Sequence, residues 1–292
     1  MKCQTLKHQA MKRQQGFTLV ELIVVIVLVG IIGGMLTMML APAIQSYLLV
    51  GQRAALTDQA DTALRTVALD VRRAVPNSLR LGDAQCLELV PTKDGGRYRT
   101  GPVSGRSDDA RINDGEPGNA FDVLTQFGNA PVAGDVIVVG NRSPGEVYGR
   151  TNVAAVDRVV PSPDPSLGTG RIQLDGELQV PQNYTGGRFL VVPGTRQIAT
   201  YRCVNAGLDA NGTGTGTLVR LNGASLAAAP ACSGAVPAGA QLVASKVASC
   251  GFVFYANAGA TPDSGFVQMQ LTLSDKGEAV PLTVGTFVSN VP

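Results

Sequence analysis

One carboxylate stands apart from the others in this chain. Glu21 sits at the head of an uncharged apolar run, Leu22–Leu40. Gly16-Phe17 lies just before it, and the basic residues Lys2, Lys7, Lys12 and Arg13 come earlier still. A carboxylate inside a bilayer costs about 2.5–3.5 kcal/mol at its centre and less near its edge. A plain anchor has no use for it, so Glu21 needs a partner. If the chain is cut after Gly16, the new α-amine of Phe17 lies one helical turn away. The carboxylate can then pair with that amine in its own chain or in a neighbour.

The remaining residue types exclude most catalysis. The single histidine is His8, ahead of the cut, so a serine or cysteine nucleophile has no histidine base. A Ser-Lys dyad has Lys93, Lys246 and Lys276 to draw on, but no SxxK motif. Gly212-Thr213-Gly214-Thr215-Gly216 lacks the lysine and the helix of a phosphate loop and reads as a turn. Asp108, Asp109, Asn113, Asp114 and Glu116 are oxygen ligands close in sequence. Without EF-hand spacing they read as a solvated loop rather than a Ca²⁺ site. No pair of carboxylates is singled out for glycoside chemistry. No cofactor, no metal and no enzyme activity is expected. The net charge of +2 suggests no nucleic acid or other polyanion as partner.

Of the five cysteines, Cys3 precedes the cut. Cys86, Cys203, Cys232 and Cys250 form an even set, which in an oxidising compartment suggests two disulfides. Of the three pairings, the favoured one joins Cys203 to Cys232, which bracket a loop-rich segment, and hence Cys86 to Cys250. No CxxC pair points to zinc or thiol exchange.

The elements that position these residues follow from periodicity. Leu22–Leu40 is about 19 residues, roughly 28 Å as a helix and close to the ~30 Å core of a bilayer. The lysines and arginines precede it, so the N-terminus stays cytoplasmic and the rest of the chain is exported. Pro42 is expected to kink the helix. Beyond it, Leu56, Ala60, Ala63, Leu64, Val67, Ala68, Val71 and Val75 recur at helical steps, with Asp61 and Arg65 an i,i+4 pair. Pro76-Asn77-Ser78 stops the helix. With 35 Gly, 17 Pro and 5% aromatics, the exported part reads as short strands joined by turns. The clearest strands are 241–255, 265–274 and 279–289, a terminal antiparallel meander. In the second of these, Val267, Met269, Leu271 and Leu273 share one face. Long loops at 100–119, 143–151, 161–170 and 206–216 lie between strands.

The segment Gly16-Phe17-Thr18-Leu19-Val20-Glu21-Leu22-Ile23-Val24-Val25 resembles the N-terminal signal of type IV prepilins and type II secretion pseudopilins. The resemblance implies that a prepilin peptidase cuts after Gly16 and N-methylates Phe17, and that Glu21 registers the subunit in a helical stack. All three are then substrate and assembly residues, not catalysts. It also implies partnership with other major and minor pilins or pseudopilins, an inner-membrane assembly platform and membrane lipid. The chain would be an inner-membrane, single-pass protein with a periplasmic domain, passing later into a filament. Met11 opens a leader of the usual prepilin length and is expected to be the translation start.

The implied fold is α+β, a long N-terminal helix packed on an antiparallel sheet with long loops. The implied divisions are a leader at 1–16, a helix at 17–76 (17–41 in the membrane) and a β-rich domain at 77–292. The helix end at Pro76-Asn77-Ser78, Tyr201-Arg202-Cys203, the strand 250–255 and Val288-Ser289-Asn290-Val291-Pro292 resemble the O-type minor pilins of the mannose-sensitive haemagglutinin pilus. The J-type minor pseudopilins of type II secretion are the nearest alternative.

Overall fold

The computed structural model describes residues 16–108, 110–227, 229–256, 264–289 and 291. The basic leader, with Cys3, His8 and Met11, lies outside the described residues, as do Asp109 of the acidic loop and Asn290 and Pro292 of the terminal motif. One long helix, α1 (Leu19–Arg72), opens the fold. The chain divides into two compact units, one up to Gly51 and one from Gln52 onward.

In the second unit, α1 buries the expected stripe. Leu56, Ala60, Ala63, Leu64, Val67, Ala68 and Val71 all face the core. Polar side chains fix the helix along its length. Gln52 Nε2 donates to the Asp275 carbonyl (2.7 Å) and Arg72 Nε to Thr286 Oγ1 (2.9 Å). The Asp70 carboxylate accepts from the Tyr201 hydroxyl (2.7 Å) and from Arg220 Nε (2.8 Å). Burial, together with the Asp70 charge, pushes the Tyr201 phenol well above its ordinary pKa, so it stays a neutral donor. The helix ends at Arg72, a turn earlier than its apolar stripe. Val75 already donates its N–H to Val90 (2.8 Å), and Asn77 takes a left-handed φ of 56°.

A seven-stranded antiparallel sheet supports the helix. It comprises β1 (Arg80–Asp83), β2 (Cys86–Leu89), β9 (Ile198–Val204), β10 (Gly216–Gly223), β11 (Gln241–Tyr255), β12 (Ser264–Asp275) and β13 (Glu278–Ser289), in that spatial order. The terminal meander is as expected, and Val267, Met269, Leu271 and Leu273 are its buried face. The register shifts between Val247 and Ser249, and beyond that point β11 swings past the start of β10. Phe252 N–H then donates to the Ala84 carbonyl (2.8 Å) in the β1–β2 turn. The sheet is therefore curled, as bulges and strand twist allow.

Between β2 and β9 the chain makes a second sheet where the sequence suggested one sheet with long loops. Its strands are β3 (Asp94–Arg97), β4 (Gly118–Val123), β5 (Val136–Val139), β6 (Val153–Val160), β7 (Gly170–Leu178) and β8 (Arg188–Val192), ordered β3-β8-β5-β6-β7-β4. Its two edges meet. Tyr98 bridges Val123, and Leu124 N–H donates to the Arg97 carbonyl (2.9 Å). The sheet is a closed six-stranded antiparallel barrel, which leaves no edge exposed. Phe121, Ile137, Val139, Ile172, Phe189 and Val191 fill it. Val136, Val138 and Val192 point outward and meet Val75, Val90 and Ile198. That double burial explains the unbroken apolar run of β5. The loop 143–151 holds a short helix, α2 (Pro144–Tyr148).

Two buried carboxylates organise the loops. Asp122 accepts from Ala110 N–H (2.9 Å) and Arg171 Nε (2.7 Å), so it ties the loop 100–119 to the barrel. Asp108 pairs with Arg106 and Asp114 accepts from Asn183 N–H (2.7 Å), so these acids of the expected solvated loop already have partners. Glu88 accepts from Arg80, from Thr200 Oγ1 (3.0 Å) and from Ala231 N–H (3.0 Å), which lays the β10–β11 connection over the β1–β2 hairpin.

That connection corrects the cysteine pairing. Cys86 joins Cys232, with Cα atoms 5.7 Å apart, and Cys203 joins Cys250, at 6.2 Å. Cys232 is carried away from Cys203 onto Gly82, where an added Cβ would overlap its sulfur. Meanwhile the swing of β11 brings Cys250 to the end of β9. Closeness in sequence was the wrong guide because the loop crosses the sheet rather than folding back on its own strand. Chain entropy alone makes each closure worth roughly 4–5 kcal/mol, and the two loops interlock, so the values do not add.

Two outcomes follow for the folded domain. Non-reducing digestion should yield linked peptides 86/232 and 203/250, and Cys232→Ser should cost about 2–5 kcal/mol in a denaturant titration. The Asp135 carboxyl pays desolvation, yet Lys93 Nζ (2.5 Å) and the N–H groups of Val132 and Gly194 hold it below the usual carboxylate range. A lowered pKa stabilises above the unfolded value, about 4, and the contribution fades as pH falls through the folded value. Asp135→Asn should therefore cost stability at pH 7 and progressively less below about pH 4.

Candidate functional site

The site is the first half of α1, and it is built from local, consecutive residues. Thr18 opens the helix. Its carbonyl accepts the first helical bond, from Leu22 N–H (3.1 Å), and its Oγ1 accepts from Glu21 N–H (3.2 Å). Thr18 is thus the N-cap and Glu21 the third helical residue, with the Thr18 side chain serving the Glu21 N–H. The Thr-x-x-Glu spacing was visible in the sequence but is easily passed over when Glu21 is considered only for its charge. At this place the carboxylate also faces the positive end of the helix dipole.

Gly16 and Phe17 precede the cap in irregular backbone, and Phe17 is 82% exposed. The expected cut site accordingly lies outside the helix, exposed at its start. Glu21 stands four residues from Phe17, and its side chain is exposed.

From Leu19 to Val50 every large apolar side chain is exposed, between 45% and 82%. The Thr37 hydroxyl donates to the Gly33 carbonyl (2.7 Å), so it carries no unsatisfied donor into an apolar medium. Gly30 and Gly34 are a helical turn apart, and nothing lies within 4 Å of a Cβ built at either. Small residues so spaced let another helix approach closely. Pro42 lies within the helix. This is the one helix among the described residues long and apolar enough to cross a membrane.

The catalytic alternatives gain nothing from the geometry. Among the described residues no group of three or more His, Cys, Asp or Glu is placed to hold a metal. Gly212 belongs to a tight turn in which Asp209 Oδ1 accepts from Asn211 and Thr213 N–H (2.9 and 2.8 Å). The remaining sequence candidates at this end, Gly16, Phe17 and Glu21, fall within one short segment around the start of the helix.

Residues 11–37 match the family model described as the prokaryotic N-terminal methylation motif. No curated protein and no solved structure matches the chain. The motif supports a type IV pilin or pseudopilin, a family whose role is structural and whose members are processed by prepilin peptidase and assemble with other pilins. Together with the apolar helix it fits anchoring in the inner membrane, with the C-terminal domain outside the cytoplasm.

The run Leu22–Leu40 holds about a dozen Leu, Ile and Val residues, which favour insertion by roughly 4–7 kcal/mol in total, against about 3 for one lysine. Ile31→Lys alone should leave the chain in the alkali-resistant membrane fraction. Ile26→Lys combined with Ile31→Lys should release it.

Proposed function

We propose that the chain is a minor pilin that helps start or cap assembly of a type IV pilus of the mannose-sensitive haemagglutinin type. Prepilin peptidase cuts between Gly16 and Phe17 and methylates the new amine. The subunit waits in the inner membrane with residues 77–292 in the periplasm, then enters the filament. There its apolar half-helix leaves lipid for the helices of neighbouring pilins, and Pro42 lets the helix bend.

The observation that carries this reading is the conjunction at one helix start. An exposed Gly16-Phe17 bond, a capped helix and the acid Glu21 precede an apolar helix half whose large side chains are exposed among the described residues. No bond chemistry is assigned to the chain. Its work is helix packing and registration by Glu21 against a neighbour's or its own Phe17 amine.

A place at the tip of a type II secretion pseudopilus uses the same N-terminal parts. The inserted barrel favours an added binding role at a tip. It is a closed module with its own core, and its loops are held by buried ion pairs rather than left slack.

The test separates charge from polarity at Glu21. In cells lacking the native copy, Glu21→Ala should abolish pilus or secretion output. Glu21→Gln keeps a polar side chain of the same length without the charge, and should fail as badly. Full output from Glu21→Gln would remove the charge from the account, and full output from Glu21→Ala would end the assembly reading.

A further inference from the structure

The fold guards its sheet edges with one exception. The barrel closes on itself through Tyr98 and Val123. In the seven-stranded sheet, the edge strand β1 is four residues long and bulged between Leu81 and Asp83. Cys232 lies against its Gly82, and Arg80 donates to the Ala227 carbonyl (2.8 Å), so the β10–β11 connection covers that edge. The opposite edge is β13, twelve residues paired with β12 in unbroken register. An uncovered strand of that length is a template for another strand, and proteins usually blunt it with charge, proline or a bulge.

The hydrogen bonds fix which groups β13 turns outward. Phe252 N–H donates to Ala84 (2.8 Å), away from β12, so its neighbour Gly251 is the one that exchanges bonds with Gln270. The Ser274 carbonyl likewise accepts from Gly214 N–H (2.8 Å), away from β13. Bonded and non-bonded pairs alternate along an antiparallel ladder. Thr283 and Ala279, opposite Gln270 and Ser274, therefore turn their backbone groups to the open side, as do Gly285, Phe287 and Ser289. Pro281 falls in the same set, where its missing N–H leaves no gap in the β12–β13 ladder. Among the described residues no backbone hydrogen bond reaches the open side of Thr283, Gly285, Phe287 or Ser289. The Thr286 hydroxyl touches the Phe287 carbonyl only at 3.5 Å. Pro281 blunts the first part of the edge, but 283–289 has no charge, no proline and no bulge.

The side chains narrow what could pair there. Thr283, Gly285, Phe287 and Ser289 share the exposed face and carry no charge. Phe287 packs on Phe266, ring centroids 5.2 Å apart, yet stays 62% exposed. An added strand would give it a cross-strand neighbour on its bare side. We propose that the edge 283–289 takes an extended, uncharged segment of a partner protein as an eighth strand, held by backbone pairing. A second copy does not serve. Within this unit α1 runs in the direction of β13, Arg53 meeting Glu278 (3.4 Å) and Arg72 meeting Thr286 (2.9 Å). Two copies paired antiparallel through β13 would carry these helices in opposite directions, unlike chains anchored by the same end in one membrane. The open edge itself is a property of the sheet and does not require the filament reading.

The experiment follows backbone amide exchange by NMR in the full chain, held in a non-ionic detergent. Without a probe, Thr283, Gly285 and Phe287 should exchange at least about tenfold faster than Leu282, Val284 and Thr286, which bond to β12. The probe is a blocked heptapeptide of alternating threonine and valine with a glutamine at each end. Its twin is N-methylated at the three central residues, so that neither of its edges can donate there. The parent peptide should slow the three fast amides saturably, and the twin should bind at least about tenfold more weakly. Thr283→Pro removes one outward donor and none toward β12, and should weaken the peptide about fivefold with the thermal midpoint held. Three amides already slow without peptide would show that the chain covers its own edge. Slowing that grows with protein concentration alone would make the occupant a second copy, and equal binding by the twin would leave only a side-chain patch. Each of these, like the absence of a saturable effect or indifference to Thr283→Pro, would overturn the proposal. If Thr283→Pro fails to fold, the twin decides.

Discussion

Apolar surface has to be covered, and in this chain one helix meets that requirement in two different ways. From Leu56 to Val71 the stripe of α1 is covered by the curled sheet, with Tyr201, Met269 and Leu271 among its partners. From Leu19 to Val50 the large apolar side chains are exposed among the described residues. At ~25 cal/mol per Å², a bare helix of this length cannot persist in water. Lipid or other helices must take the place that the sheet takes lower down. Thr37, bonded back to Gly33, and Gly30 and Gly34, open to close approach, suit either medium.

Against that background Glu21 has two jobs that do not compete. Its backbone N–H donates to Thr18 Oγ1 at the start of the helix, and under the proposed function its carboxylate pairs with the amine freed at Phe17. The cap is a local economy that any soluble helix might use. Under the proposed function the charge is matched by a counter-charge that arrives with processing. The lower domain shows the same rule by contrast. Glu88 and Asp122 are fully buried, and each is held by an arginine and by backbone N–H groups.

How far the fold could be read in advance depended on whether the signal was local. The helix stripe and the meander from Gln241 onward follow from period and turn chemistry and stand where expected, while the helix stops at Arg72, a turn before Pro76-Asn77-Ser78. The barrel did not announce itself. Its closure rests on Tyr98 meeting Val123, a contact between residues with no pattern linking them. Its strand β3 is short and made of Asp, Gly and Arg. The disulfides failed for a related reason. The partner of Cys86 is set by Glu88 and Gly82, which draw the β10–β11 connection across the sheet, and no spacing of cysteines encodes that. The candidate site is built from consecutive residues, so its motif could be read from sequence alone. Even there, the capping role of Thr18 was hidden behind the charge of Glu21.

The central claim is that Glu21 is tolerated in its apolar setting because processing creates an amine beside it. The most direct measurement is the intact mass of the protein purified from membranes with and without an active prepilin peptidase. With the enzyme, the account expects a chain beginning at Phe17 and heavier by one methyl group; without it, a chain that keeps its basic leader. A leader retained in the presence of the enzyme would contradict the claim.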